Sequence, residues 1–242
     1  TDKVLSDSER LINESHNKDR YSLTPVVLAP CAPFNVTKEV MVESAIMARQ
    51  YGVRLHTHLA ETLDEQEYTM KNFKMRPLEY MDTLGWLGSD VWYAHGIHFN
   101  DEELKVLAET QTGVAHCPIS NMKLASGVAR IPEMIKMGIP VGLAVDGSAS
   151  NDASNLLEEI RIGYLLHRSN YSNKAPTGYD ILKLATNGSA KLLGRDDIGS
   201  LEVGKAADLF MIRTNRFELV GGLDDPKSIL GTIGIKRPVD YT

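Results

Sequence analysis

Leu55-His-Thr-His-Leu-Ala-Glu61 carries the densest chemistry in the sequence. An apolar run ends on His58, and Glu61 follows three residues later. A neutral imidazole at a strand end can bind a divalent metal, and a carboxylate beside it can move protons between water and a substrate. The same residues admit a plainer arrangement, in which His58 is a hydrogen-bonded interior histidine and Glu61 caps the next helix. Trp92-Tyr-Ala-His95 poses the same choice, because a histidine closing a strand serves structure as readily as chemistry. In Val141-Gly-Leu-Ala-Val-Asp146 an apolar run ends on a carboxylate. A charge against such a strand must be paired or bound to a metal, since a bare buried charge is costly. The small residues Gly147-Ser-Ala-Ser150 leave room for a ligand, or Asp146 caps them. Three such endings, in order along one chain, are harder to assign to structure than any one alone.

The elements that must position these residues follow from periodicity. Strand-like runs are Val26–Ala29, Val53–His58, Val91–His95, Gly113–His116 and Pro140–Val145. Helix-like stretches are Lys38–Tyr51, Asp64–Phe73, Pro77–Leu84, Asp101–Thr110, Ile131–Met137, Ala153–Arg168 and Tyr179–Leu193. Strand–helix alternation reads as parallel α/β, and strands apolar on both faces suit a sheet covered by helices. Both a doubly wound sheet and a (β/α)8 barrel fit. His58, His95, His116 and Asp146 decide for the barrel, because each sits at or just after the C-terminal end of a different strand and barrel strand ends converge on one mouth. A doubly wound dinucleotide site would need a GxGxxG turn, and none occurs. After Leu193 the texture changes, and Gly199–Ile212 reads as a turn followed by a strand. Gly199-Ser-Leu-Glu-Val-Gly-Lys205 lacks the Ser or Thr that completes a P-loop and precedes a strand, so it is a chance likeness.

Charge and cysteine usage narrow the partners. Lys plus Arg is 26 against 32 Asp plus Glu, a net charge of −6 with no basic stripe. Phosphate neutralisation needs clustered cations, which argues against polymeric nucleic acid and for a neutral small molecule. No run of about 18 uncharged apolar residues is present, so no membrane span is expected. The 2 cysteines, Cys31 and Cys117, lack CxxC spacing and read as buried small residues. A cytoplasmic protein without a disulfide framework is the expectation.

His58-Leu-Ala-Glu61, Ala94-His95-Gly-Ile-His-Phe99, His116-Cys-Pro-Ile-Ser-Asn-Met-Lys-Leu-Ala-Ser-Gly127, Val145-Asp-Gly-Ser-Ala-Ser-Asn-Asp152 and Gly199-Ser-Leu-Glu-Val-Gly-Lys-Ala-Ala-Asp208 together resemble the amidohydrolase superfamily, in its cytosine-deaminase-like branch. The likeness runs from Leu5 to Tyr241, and within the branch it is greatest to the group that deaminates 8-oxoguanine. It implies an α/β fold, a distorted (β/α)8 barrel of which strands about four to eight are present in residues 1–198, with part of a small β-sandwich in residues 199–242. It also implies one divalent metal, zinc with iron as the alternative. His58 and Asp146 would be metal ligands. Glu61 would shuttle protons, and His95 would polarise the attacking water or the substrate. Asp146 would also accept a proton from that water. Ser120 and Asn121 would shape the substrate pocket.

The reaction so implied is hydrolytic deamination of an aminated purine-like heterocycle, 8-oxoguanine giving urate and ammonia. Isoxanthopterin, guanine, S-adenosylhomocysteine and triazines are alternative substrates, the last with chloride as a possible leaving group. A catalytically inactive scaffold is the alternative of another class. The expected partners are a small heterocycle and further copies of the chain. His56-Thr-His58 is not the superfamily's strand-one HxH pair, because Glu61 and the downstream order place it on strand five. His56 is expected one layer deeper on the same strand face, as support. The chain is therefore expected to be a piece lacking the N-terminal segment that carries the HxH pair, with the end, around Pro238-Val-Asp-Tyr241, also clipped.

Overall fold

A computed structural model describes residues 2–220 and 224–225. Within it the five apolar runs form β1 (Val27–Leu28), β2 (Arg54–Leu59), β3 (Val91–His95), β4 (Gly113–His116) and β5 (Val141–Leu143). They lie in one sheet in the order β1-β2-β3-β4-β5. The first four pair in parallel, with Val27 opposite Arg54, Leu55 opposite Val91 and Trp92 opposite Gly113. Chain order and sheet order coincide, so the connections all wind the same way. That is the sequence of a (β/α)8 barrel arc, whereas a doubly wound sheet reverses direction at a switch point. The fold is α/β, as the alternation of runs requires.

Helices α1 (Asp2–Ser15), α2 (Lys38–Tyr51), α3 (Leu63–Phe73), α4 (Pro77–Thr83), α5 (Asp101–Thr110), α6 (Pro118–Lys123), α7 (Ile131–Lys136), α8 (Ser148–Asn151), α9 (Leu156–Tyr171), α10 (Gly178–Lys183) and α11 (Ser189–Leu192) connect and follow the strands. Their starts are chemical. Thr37 accepts from the Val40 amide at the head of α2, and Asn100 and Glu103 exchange side-chain and backbone bonds in a capping box at α5. Asn155 accepts from the Leu157 amide, which starts α9 at Leu156 instead of Ala153. The stretch Tyr179–Leu193, expected as one helix, passes from α10 through a π-helical turn at Leu184–Gly188 into α11. A π turn widens the hydrogen-bonding ring and breaks the 3.6 repeat on which the single-helix reading depends.

Among the described residues the chain separates into two units. The first comprises residues 2–116, 129–141 and 192–194. Its core is built from Met41, Leu55, Leu59, Leu78, Met81, Trp86, Tyr93, Leu104, Leu107, Ile131 and Met134, all fully buried. The Trp86 indole N–H donates to the Met41 carbonyl at 2.8 Å, which lets a large aromatic be buried with its polar atom satisfied. The second unit contains residues 117–128, 142–191 and 195 onward, packed around Leu143, Ile160, Ile181 and Ala190.

Two expectations are corrected. Cys31 is exposed; Cys117 is buried and both are free thiols. Cys31 lies in the segment between the two-residue β1 and α2. The strand expected within Gly199–Ile212 is absent as a ladder: the Glu202–Lys205 turn forms, but only Met211 makes an isolated bridge. A strand needs a partner strand to persist, and Leu209, Phe210 and Met211 are exposed. The expected continuation through Pro238–Tyr241 lies outside the described residues. No helix among them is long and apolar enough to cross a membrane.

Candidate active site

β2 alternates cleanly. Leu55, Thr57 and Leu59 are buried, and Arg54, His56 and His58 share the other, half-buried face. His56 stacks on Trp92 with centroids 5.1 Å apart and planes 18° apart, and its Nδ1 lies 3.3 Å from the Trp92 carbonyl. His58, two residues nearer the strand end, places Nδ1 2.6 Å from the Cys31 carbonyl. A carbonyl can only accept, so Nδ1 of His58 carries the proton and the lone pair of the neutral ring resides on Nε2. A backbone carbonyl holding one ring nitrogen is how a metal-binding histidine is oriented and its tautomer fixed. Cys31 O also receives the Thr57 hydroxyl at 2.9 Å and the His58 amide at 3.0 Å, so the carbonyl that fixes His58 is itself pinned to β2.

The backbone turns sharply after Leu59, and Ala60 has φ of 54°. Thr62 is the N-cap of α3, accepting from the Glu65 amide. Glu61 is therefore not the cap of that helix. Its amide is held instead by the Glu65 carboxylate at 3.0 Å, and its own carboxylate extends to within 3.5 Å of Nε2 of His95. His95 closes β3, is buried, and adopts φ of 71°. Its ring stacks on that of His58 at 5.4 Å. A non-glycine residue with positive φ costs energy and persists only where its surroundings over-determine it. Here they do: the amides of Gly96, Ile97 and His98 donate to the carbonyls of Leu59 and Ala60, tying the turn after β3 to the turn after β2. Gly96 must be glycine, because a Cβ there would meet the Phe99 ring at 2.9 Å and Val114 at 3.0 Å. His58, Glu61 and His95 are thus brought together in the first unit.

In the second unit Asp146 also has a positive φ, 64°. It does not cap the following short helix, whose N-cap is Gly147. One carboxylate oxygen, Oδ2, receives the Ser120 hydroxyl at 2.5 Å and the Ser150 hydroxyl at 2.8 Å. Ser120 and Asn121 are fully buried on α6. The hydroxyl of Ser120 is directed to the carboxylate of Asp146, so its first task is to orient that group.

Two buried carboxyls were not apparent from the sequence. Glu65 is buried beneath the turn that carries Glu61, and burial pushes its pKa up to about 7. Glu159 is fully buried in the first turn of α9, and burial likewise raises it to about 7. Both occupy first helical turns, where acids are common because they favour the helix dipole. Nothing in the pattern separates these two from their exposed neighbours.

The profile described as Amidohydrolase family matches residues 3–234. An 8-oxoguanine deaminase of Pseudomonas aeruginosa is 48% identical over 227 residues, covering 94% of this chain and 51% of that protein. A hydroxydechloroatrazine ethylaminohydrolase of a Pseudomonas species is 43% identical over 245 residues, covering 100% of this chain and 50% of its own length. The crystal structure of the atrazine chlorohydrolase TrzN from Arthrobacter aurescens TC1 complexed with zinc superposes with a TM-score of 0.91 at 34% identity, over 97% of this chain and 51% of that one. The chain spans about half the length of the curated relatives it matches.

Proposed function

The chain belongs to the amidohydrolase family, and on that premise we propose that it contributes the proton-handling half of a site that hydrolytically deaminates an aminated heterocycle, 8-oxoguanine giving urate and ammonia. The observation that carries this reading is the constellation of His58, Glu61 and His95, with the His58 tautomer fixed by Cys31 O and Glu61 held beside His95 by its own backbone. A histidine oriented in this way, at the end of its strand, presents Nε2 as the atom a metal would take.

We propose that His58 and Asp146 ligate one divalent metal, zinc by preference, with His95 beside them; an imidazole nitrogen and a carboxylate oxygen suit that ion. Such an ion supplies the charge that makes a water molecule acidic near neutral pH. Asp146 accepts the proton released as water adds to the amino-bearing ring carbon. The Ser120 and Ser150 hydroxyls hold its Oδ2, which fixes the carboxylate plane. Glu61 delivers a proton to the adjacent ring nitrogen, so negative charge does not build up on the ring. His95 orients the attacking oxygen. The exocyclic C–N bond then breaks, ammonia leaving with the proton that Asp146 took up, while the new hydroxyl returns a proton to Glu61 and becomes the ring carbonyl. Ser120 and Asn121 line the substrate side.

The identity to the hydroxydechloroatrazine ethylaminohydrolase favours a second substrate class, an aminated triazine, by the same chemistry. The test is amine release by the full-length protein, ammonia from 8-oxoguanine, guanine and isoxanthopterin and ammonia or ethylamine from aminated triazines. The expected result is metal-dependent release, fastest from 8-oxoguanine. A protein holding stoichiometric zinc that releases neither ammonia nor ethylamine from any of them would overturn the reading.

A further inference from the structure

Asp146 sits in a strained turn. Besides its own positive φ, Asp152 and Ser154 have φ of 68° and 47°. Three left-handed non-glycine residues within nine positions of one segment need something rigid to hold them. That support is Asn151, which is buried and has each of its polar groups engaged. Its Nδ2 donates to the Val145 carbonyl at 2.8 Å, immediately before Asp146, and also to Oε1 of Glu159. Its Oδ1 receives the Ser154 amide at 2.9 Å. The other oxygen of Glu159, Oε2, accepts the Ile119 amide at 3.1 Å, one residue before Ser120. Glu159 itself is fully buried on the 16-residue helix α9 and makes no ion pair with Lys or Arg among the described residues. A carboxyl group buried without a cation is expensive. What it provides is two acceptor oxygens, each taken by a donor from a different segment.

We infer that Glu159 is a positioning residue: from a rigid helix it fixes the segment bearing Ser120 and the strained turn bearing Asp146, so that the Ser120 hydroxyl and the Asp146 carboxylate meet in one orientation. The inference rests on the proposed role of Asp146. Glutamine cannot replace it, because one arm becomes an NH2 group facing either the Ile119 amide or the Asn151 amide, a donor against a donor. Aspartate keeps the carboxyl group but is one methylene short of spanning both donors.

The experiment compares wild type, Glu159→Gln and Glu159→Asp in the full-length protein, using amide hydrogen exchange, zinc titration and steady-state kinetics. In Glu159→Gln, exchange at Ile119–Asn121 and Val145–Asn151 should rise about two- to tenfold, the loss of one hydrogen bond. Zinc affinity and kcat should fall about 10–100-fold, as when the support of a metal ligand is removed, with KM changed much less than kcat. Unchanged exchange in those two segments overturns the inference. So does raised exchange with wild-type zinc affinity and kcat, which would make the network structural only. If Glu159→Gln does not fold, Glu159→Asp decides by the same two criteria. Should wild type release neither ammonia nor ethylamine from any substrate, the deaminase reading falls, while exchange and zinc titration still decide the role of Glu159.

Discussion

Glu61 occupies a position where one substitution separates its possible roles. Its carboxylate approaches Nε2 of His95, its amide is held by Glu65, and Thr62 already caps α3. The role proposed for Glu61 is proton transfer. Glu61→Gln should therefore keep zinc stoichiometry and melting temperature while lowering kcat about 10²–10⁴-fold, the usual contribution of a general acid–base group. Zinc loss in the variant would make Glu61 a ligand; unchanged turnover would remove it from the reaction. The local motifs were legible because residue type and strand end coincide: His58, His95 and Asp146 each follow an apolar run. The orienting partners were not, because the Cys31 carbonyl is backbone and carries no sequence signal, and Ser120 reads as a pocket residue until its hydroxyl is seen on Asp146.

The turn from β2 into α3 is the element on which Glu61 depends, and Glu65 makes it sensitive to pH. Glu65 is buried, its Oε2 holds the Glu61 amide, and its pKa lies at about 7 against 4.5 for the free side chain, chiefly through burial. The folded protein keeps this proton to about pH 7, whereas the unfolded chain releases it near 4.5. Folding therefore takes up a proton in that window. The contribution of the group is fully present below pH 4.5 and is lost as pH rises through 7. Glu65→Gln, which cannot titrate, should lack this slope. Urea midpoints measured at pH 5 and pH 8 should show wild type losing ground to Glu65→Gln at the higher pH; a difference independent of pH would mean that the carboxyl does not titrate there. α2 and α5, each with a side-chain cap, were readable to the residue, and so were β3 and β4, continuous runs buried at every position. α1 was missed because its charged face masks an apolar repeat from which only Ile12 is buried. The strand after Gly199 was expected from propensity alone, and propensity does not supply a partner.

At the scale of the whole molecule, the proposed ligands His58 and Asp146 are widely separated in the sequence, so one ion could take both only in the folded protein. An ion bound only by the folded state stabilises that state by RT ln(1 + [L]/Kd), about 4 kcal/mol when zinc is at 1,000 times its dissociation constant. Stripping zinc from the full-length protein with a chelator should therefore lower its melting temperature, and zinc should restore it. Asp146→Asn should melt at the temperature of stripped wild type whether or not zinc is added. The neutral amide is a poor ligand, and Ser120 and Ser150 can still donate to its carbonyl oxygen, so the turn itself is spared. Calorimetry that records the same midpoint with and without zinc in wild type would show that the ion does not join these donors. Zinc stabilising Asp146→Asn as much as wild type would remove Asp146 from the ligand set.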